Sequence, residues 1–260
     1  MRLSEAEIVE GFRDAGRQSC YIPFPTKLCY RVCGELFDHW RRWQDASGKG
    51  DPTPDFFSDK ARMMFDVANV YDSEFERDDK PGSFVNHVLG DESKAEAELR
   101  RFATDLGIRN DVRIFRNVEK TGFDYDKEHT YDRYVANVVR VIRQHSDEIP
   151  TYRGNHLNCD KVGLFLCDMT EMYICVDNIS SLSIESGLIP AWPHYPWCDV
   201  HFMTALRDSG FDFVVYYMPY KAHSNGIKPG SMPESVVLDF RHPRLCERLV
   251  DYPAYLMRSL

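Results

Sequence analysis

The segment from Met63 to Tyr71 alternates so that both faces of an extended chain are largely apolar. One face carries Met63, Phe65, Val67, Asn69 and Tyr71, and the other carries Met64, Asp66, Ala68 and Val70. Strands that are apolar on both faces are typical of the interior of a sheet. We therefore predict a central strand over 61–71, with Asp66 inside it.

Other apolar runs predict the remaining strands. The run FDFVVYYM has the continuous apolar character of an interior strand, and KVGLFLCDMTEMYICVDN reads as two strands that meet in a tight antiparallel hairpin near Asp168. Alternation around Ile114 and the run SVVLDF predict two more. The predicted sheet comprises 61–71, 111–118, 162–177, 211–218 and 235–240.

Capping residues mark the predicted helices. Ser4 with Glu7 forms a capping box before a short first helix, and Thr26 can cap a longer helix that ends near Ala46. Asp91 begins a helix that ends at Gly107, and a further helix spans about 130–145. Two more are expected, from Asp199 through Arg207 and over about 243–250.

The sum of these elements predicts an α/β or α+β protein with a mixed β-sheet flanked by helices and a helix-rich N-terminal half. A chain of 260 residues is near the size of about 250 residues at which a single core stops growing. We expect one domain over 1–260, in which a helical part of about 1–50 packs on a sheet-containing core of about 51–260.

Composition places the chain among ordinary globular proteins, with 43% hydrophobic and 28% charged residues. A net charge of -9 argues against a surface that binds nucleic acid throughout, although a local basic groove remains open. No signal peptide and no apolar window of about 18 residues is visible, so we expect no membrane partner and a cytoplasmic location. The eight cysteines are scattered, which favours reduced thiols.

Three aspartates form the first candidate site. Asp55 follows Pro54, Asp59 lies in the same loop, and Asp66 lies in the predicted strand. If the loop folds back along the strand, the carboxylates would meet as oxygen ligands for Mg²⁺ or Mn²⁺. The alternative is that Asp55 and Asp59 are loop residues and Asp66 is a hydrogen-bonded polar group of the strand.

The pair Pro54-Asp55 and Asp66 resembles the signature of the PD-(D/E)xK nucleases, with Asp55 as the first acid and Asp66 as the second. Ala68 stands where that family has its lysine, so Lys60 or Lys161 would have to supply the charge. The resemblance implies a divalent-metal-dependent hydrolase that acts on nucleic acid phosphodiesters, with Asp59 as an auxiliary acid.

A second candidate site uses softer ligands. His156 and Cys159 have the spacing HxxC, Cys198 and His201 have the mirrored spacing CxxH, and His194 lies nearby. Four such ligands could close a tetrahedral Zn²⁺ site between two segments, or three could leave a position for water. The alternative is that these side chains are packed or exposed without a metal.

Cysteine chemistry offers a third candidate. Cys198 at a helix N-terminus could be a nucleophile with His194 or His201 as its base. Cys29 and Cys33 are one helical turn apart, and could bind metal, pair under oxidation or pack as core thiols.

The loop from Trp192 to Trp197 combines aromatic rings and prolines into a stiff surface suited to partner recognition. This loop carries the alternative function, a non-enzymatic binding or regulatory protein that is zinc-stabilised. The sequence lacks GxGxxG, GxxxxGK[ST] and GxSxG, so dinucleotide cofactors, P-loop phosphates and a hydrolase serine have no support.

Overall fold

The computed structural model describes residues 4–46, 53–71, 130–170, 172–176, 191–219, 221, 232–241 and 249–259. The chain divides into two compact units, one of Met1–Ser4 with Glu74–Glu128 and the other of Glu5–Ser73 with His129–Leu260. Apart from Ser4, every described residue belongs to the second unit. The predicted helix from Asp91 and the predicted strand 111–118 lie outside the described residues, as does most of 243–250.

Ten strands of this unit are described. In chain order they are β1 (Cys20–Tyr21), β2 (Gln44–Asp45), β3 (Phe56–Ser58), β4 (Met63–Val70), β5 (Lys161–Asp168), β6 (Tyr173–Val176), β7 (Ala191–Pro193), β8 (Phe213–Tyr217), β9 (Ser235–Asp239) and β10 (Met257–Ser259). Seven of them form a sheet in the order β1-β9-β8-β5-β4-β3-β2. The three central strands β4, β5 and β8 are parallel, and β2, β3 and β9 pair with their inner neighbours in the antiparallel sense.

The predicted hairpin between the two halves of 161–178 is wrong. Strands β5 and β6 belong to different sheets, because β6 pairs with β7 and β10 in a separate antiparallel sheet. Asp168 ends β5 by accepting the backbone N–H and the hydroxyl of Thr170, which turns the chain away from β5. No Asn-Gly pair is present to close a tight hairpin there.

The described residues form five α-helices beside the sheet: α1 (Glu5–Ala15), α2 (Lys27–Cys33), α3 (Tyr131–Ser146), α4 (Ile149–Asn155) and α5 (Val200–Asp208). Two of the predicted caps are confirmed, since Thr26 and Asp199 each accept a backbone N–H of the first helical turn. Thr130, at the predicted start of α3, does the same. The second helix is shorter than predicted. A π-helical turn at Gly34–Asp38 and a 3₁₀ turn at Trp40–Arg42 follow it, and the chain enters β2 before Ala46.

The helices cover both faces of the sheet, which confirms the predicted fold class. On one face α1 and α2 pack through Phe12 and Val32 against Phe65 and Phe165. On the other face α3, α4 and α5 pack against the opposite side chains of β4, β5 and β8. The three strands follow one another in one direction across the sheet, and the described helices that follow β4 and β5 in the chain therefore lie on the same face. Among the described helices, none combines the length and apolar character needed to cross a membrane.

Candidate functional site

The hairpin of β3 and β4 brings Asp55 and Asp66 together. Phe56 pairs with Phe65, so Asp55 and Asp66 face each other at the open end of the hairpin. The backbone N–H of Asp55 lies 3.4 Å from Oδ1 of Asp66, and Oδ2 of Asp55 accepts the backbone N–H of Val67 at 2.8 Å. Burial and the charge of Asp66 raise the pKa of Asp55 to about 8. When this pair of carboxyl groups holds one proton, that proton therefore resides on Asp55 and the charge on Asp66.

Asp66 has two further partners from the helices that cover this face. Nδ1 of His145, at the end of α3, hydrogen-bonds to Oδ2 of Asp66, and the hydroxyl of Tyr152 from α4 donates to the same oxygen at 2.8 Å. Burial opposes ionisation, but the hydrogen bond and charge of His145 outweigh it and hold the pKa of Asp66 below its ordinary value. Burial likewise opposes the charged imidazole, and Asp66 raises the pKa of His145 in spite of it.

Glu148 completes this group, which we name the Asp66 cluster: Asp55, Asp66, His145, Glu148 and Tyr152. Oε2 of Glu148 accepts a hydrogen bond from the Tyr152 hydroxyl. One ligand atom each from Asp66, His145 and Glu148 lies within 4.8 Å of the others. In the described part of the chain, no other set of three or more His, Cys, Asp or Glu side chains comes this close.

The Asp66 cluster fits a divalent cation in three respects. A metal with N and O ligands at about 2.1 Å holds its ligand atoms about 3–4 Å apart, so the three side chains need only a small rearrangement, in which the cation replaces the proton between His145 and Asp66. One imidazole with two carboxylates suits Mn²⁺ or Zn²⁺. The single Tyr152 proton cannot serve both carboxylates at full strength, whereas a cation would neutralise both.

The Asp66 cluster is also accessible. The side chain of His145 is 26% exposed and Glu148 is exposed, whereas Asp66 is buried at the base of the group. A small ligand can therefore approach from the side of Glu148 while Asp66 and Tyr152 stay fixed by packing.

Asp59 and Lys60 are not brought to the Asp66 cluster. Both are exposed residues of the turn that joins β3 to β4, where the carbonyl of Asp59 accepts the backbone N–H of Arg62. Asp66 lies three residues beyond Met63, the first residue of β4, which at about 3.3 Å per residue places it about 10 Å from that turn. Lys161 is engaged elsewhere, with Nζ 3.4 Å from Oδ1 of Asp212.

The four predicted zinc ligands are not assembled either. Cys159 precedes β5, where its buried thiol donates to the carbonyl of Met63 at 3.4 Å, and the ring of His156 packs 4.2 Å from that of Phe57. Cys198 and His201 flank the start of α5, which follows β5 in the chain. The strand between the two pairs separates them by about 25 Å of extended chain. The HxxC and CxxH spacings thus belong to two turns at different ends of the sheet.

The imidazoles proposed as bases for Cys198 both contact carboxylates. Nε2 of His194 lies 2.7 Å from Oδ2 of Asp199, and Nε2 of His201 lies 3.4 Å from Oδ1 of Asp251. In the aromatic loop, Trp197 is buried and its ring lies 6.0 Å from that of Tyr21. Trp197 therefore contributes to the packing of the protein rather than to a free aromatic surface.

The structure reveals a second polar group, the Asp168 cluster, made of Asp168, Lys221, Tyr134 and Tyr216. Nζ of Lys221 lies 2.8 Å from Oδ2 of Asp168 and 3.0 Å from the hydroxyl of Tyr134, and Tyr216 donates to Asp168 at 2.8 Å. Burial opposes ionisation of Asp168, but Lys221 keeps its pKa below the ordinary value. The cluster lies where β5 ends, which is the edge at which open α/β sheets usually bind ligands.

His194 and Asp199 form a buried pair beside the Asp168 cluster. Burial lowers the pKa of His194 even though Asp199 opposes that shift, so the imidazole is neutral and its Nε2–H donates to Asp199. Nδ1 of His194 is buried and has no hydrogen-bond partner among the described residues. The rings of Tyr131, Tyr134, Phe202 and Tyr252 surround the imidazole. This pair and the Asp168 cluster are closed to solvent, which leaves the Asp66 cluster as the accessible candidate site.

Sequence reasoning found Asp55 and Asp66 but missed His145, Glu148 and Tyr152. His145 is 79 residues from Asp66 in the chain, so no local spacing connects them. The available signal was the separation of His145 and Glu148 by three residues at a helix end, which favours a shared face.

A scan against protein-family models, a search of curated proteins and a search of solved structures each found no match.

Proposed function

We propose that this chain is a divalent-metal-dependent hydrolase whose cation is held by Asp66, His145 and Glu148. The observation that carries the proposal is the approach of three ligand atoms from these side chains to within 4.8 Å of one another, with one side open to solvent. Two carboxylates and one imidazole provide the charge and the donor types that Mn²⁺ or Zn²⁺ accepts.

The substrate class is the phosphodiester, with nucleic acid as its source. The resemblance of Pro54-Asp55 and Asp66 to the PD-(D/E)xK signature supports this class, as does the adjacency of the two carboxyl groups across the β3–β4 hairpin. A cation bound in the cluster would supply Lewis acidity to a phosphate oxygen and acidify a bound water.

The protein's own residues have distinct roles in this proposal. Asp66 is the fixed ligand, since its carboxylate is buried and hydrogen-bonded by Tyr152. Glu148 is the exposed ligand on the side where substrate approaches. Asp55 positions Asp66 by packing its carboxyl group against it, and the hydrogen bond from Val67 holds Asp55 in place.

Cation binding is tested first, because it needs no substrate. Metal-free protein is titrated with Mn²⁺ and followed by calorimetry or by the electron paramagnetic resonance signal of free Mn²⁺. We expect one site in the unmodified protein, and at least about tenfold weaker binding in Asp66→Asn and Glu148→Gln. Asp59→Asn is the matched control, because it removes the same charge at the exposed tip of the hairpin. Equal affinity of all four proteins, or no binding at all, would refute the site.

Hydrolysis is tested on single-stranded and double-stranded oligonucleotides and on bis(p-nitrophenyl) phosphate, with Mn²⁺, Mg²⁺ or Zn²⁺ added in turn. We expect cleavage that Asp59→Asn retains and that Asp66→Asn and Glu148→Gln lose. If Mn²⁺ binds at the cluster but no phosphodiester is cleaved, the metal site stands and the hydrolase proposal fails. A zinc ion that survives purification, is lost only with unfolding and is accompanied by no phosphodiester cleavage would favour the zinc-stabilised binding protein instead.

A further inference from the structure

Two thiols outside the Asp66 cluster lie in contact. Sγ of Cys20 is 3.8 Å from Sγ of Cys33, and the two residues are 13 positions apart in the chain. Cys20 belongs to β1, at the edge of the seven-stranded sheet, and Cys33 is the last residue of α2. A disulfide bond has an S–S distance of about 2.05 Å, so the sulfur atoms must approach by less than 2 Å.

Cys29 does not compete for Cys33. The sequence places Cys29 one helical turn before Cys33, which raised the expectation of a pair within the helix. In the structure, Cys29 is fully buried at the first turn of α2, where its sulfur lies 3.4 Å from Oγ1 of Thr26 and 3.9 Å from the carbonyl oxygen of Phe24. The thiol that contacts Cys33 comes from β1 instead.

The two contacting thiols differ in reactivity. The hydrogen bond from Cys33 lowers the pKa of Cys20 in spite of burial, and the positive charge of Arg17 acts in the same direction. The pKa of Cys33 is raised, because its proton is held by Cys20 and its side chain is buried. Cys20 is also the more accessible of the two. Cys20 is therefore the attacking thiolate and Cys33 the second thiol.

We propose that Cys20 and Cys33 form a reversible modification site that closes to an intramolecular disulfide, with a low-molecular-weight disulfide such as oxidised glutathione as the oxidant. The Cys20 thiolate attacks one glutathione sulfur, so that a Cys20–glutathione bond forms and one glutathione thiolate leaves. Cys33 then loses its proton and attacks Sγ of Cys20, which forms the Cys20–Cys33 bond and releases the second glutathione. The two cysteines lose two electrons and two protons, and oxidised glutathione becomes two molecules of glutathione.

The bond would tie the edge strand to the helix that covers it. β1 is two residues long and pairs only with β9 within the described sheet. A covalent link from this short strand to the end of α2 restrains the unfolded chain over the segment between them, which favours the folded state.

Trypsin digestion resolves every alternative pairing among the three nearby cysteines. Cleavage after Arg17, Lys27, Arg31 and Arg41 places Cys20 in peptide 18–27, Cys29 in peptide 28–31 and Cys33 in peptide 32–41. The full chain is incubated with oxidised glutathione, alkylated, digested without reductant and analysed by mass spectrometry. We expect peptide 18–27 linked to peptide 32–41 as the dominant disulfide, and recovery of both free peptides after dithiothreitol.

Two variants sharpen the result. Cys33→Ser should stop at the Cys20–glutathione adduct, whereas Cys29→Ser should close the same disulfide as the unmodified protein. The proposal is overturned if the unmodified protein accumulates the Cys20–glutathione adduct without closing the bond, if peptide 28–31 is the dominant linked partner, or if no cysteine is oxidised. The unmodified protein alone decides between these outcomes, so the conclusion does not depend on the folding of either variant.

Discussion

Nζ of Lys221 lies 2.8 Å from Oδ2 of Asp168, and neither side chain is exposed to solvent. Tyr134, Tyr216 and Thr170 supply further hydrogen bonds to the two charges. The net contribution of a buried ion pair to stability is small, because desolvation offsets the attraction. Removing one partner is nevertheless strongly destabilising, because the other charge then stays buried without a counter-charge.

Lys221→Met should therefore destabilise the protein strongly. The variant keeps the length of the side chain but leaves Asp168 without its cation, and we expect a loss of about 3–5 kcal/mol in the free energy of unfolding. Adding Asp168→Asn to the variant should recover part of this loss, because no charge then remains buried. Urea denaturation measures both values.

The control for this prediction is Arg17→Met, which breaks the exposed ion pair with Asp38. Exposed pairs contribute about 0–1 kcal/mol, so this variant should unfold almost as the unmodified protein does. If Lys221→Met and Arg17→Met were equally stable, the Lys221–Asp168 pair would not be enclosed in the way the structure shows.

His194 should make the stability depend on pH below about 6.5. Burial lowers the pKa of its imidazole in the folded protein, whereas the unfolded chain has the ordinary value of about 6.5. Between these two values the unfolded state binds a proton that the folded state does not, so stability falls as the pH decreases. His194→Gln keeps a donor for Asp199 and removes the titration.

We expect the unfolding free energies of the unmodified protein and of His194→Gln to converge as the pH falls from 7.5 to 5. One titrating group limits the difference in slope to about 1.4 kcal/mol per pH unit. Titration of Asp199 changes the stability only at a pH below this range, because the pKa of Asp199 in the folded protein is below the ordinary value. Parallel curves over this range would contradict a neutral, buried His194.

Local patterns predicted much of the fold but little of its polar interior. The alternation around Asp66 identified β4, and Thr130 and Asp199 identified the starts of two helices, because each of these signals depends on neighbours in the chain. The Asp168 cluster had no such signal. Tyr134 lies in α3, Asp168 ends β5 and Lys221 follows β8. Only the pairing of the parallel strands and the packing of α3 on the sheet bring these side chains together.

The sequence likewise predicted only part of the candidate site. Asp55 and Asp66 are only eleven positions apart, so a loop that folds back along a strand was enough to predict their contact. His145 and Tyr152 reach Asp66 from helices 79 and 86 residues away. The HxxC and CxxH pairs suggested a zinc site that the structure does not assemble, because the spacing within each turn does not determine the distance between the two turns.

The ring of Phe213 leaves no space for a side chain at Gly163. The two residues pair across β5 and β8, and a Cβ atom on Gly163 would lie 2.2 Å from Cζ of Phe213. Gly163→Ala should therefore destabilise the protein by about 1–3 kcal/mol through overpacking. Phe213→Leu in the same chain should recover part of this loss, which a double-mutant cycle in urea would show.

The matched control is Gly154→Ala in α4, where an added Cβ meets no atom within 4 Å. Alanine favours a helix over glycine by up to about 1 kcal/mol, so this variant should be neutral or slightly more stable. If Gly154→Ala were destabilised and Gly163→Ala were not, the result would contradict the surroundings of these two glycines in the structure.

Through Tyr152, the stability of the protein should depend on whether the Asp66 cluster holds a cation. Its hydroxyl is the shared donor for Asp66 and Glu148, whose carboxylates otherwise face each other across the same space. In the presence of EDTA, Tyr152→Phe should lose about 1–3 kcal/mol, because the buried carboxylate of Asp66 loses one of its hydrogen-bond donors. The proposed cation would replace that hydrogen bond by binding both carboxylates directly.

Saturating Mn²⁺ should therefore raise the melting temperature of Tyr152→Phe more than that of the unmodified protein, since the cation has no hydroxyl to displace and relieves a greater repulsion. Tyr30→Phe serves as the control, because Tyr30 is 55% exposed and should respond to Mn²⁺ as the unmodified protein does. Differential scanning fluorimetry with and without Mn²⁺ compares the three proteins. If Tyr152→Phe is destabilised in EDTA and Mn²⁺ shifts all three equally, the hydroxyl is a structural hydrogen bond and the cation, if bound, lies elsewhere.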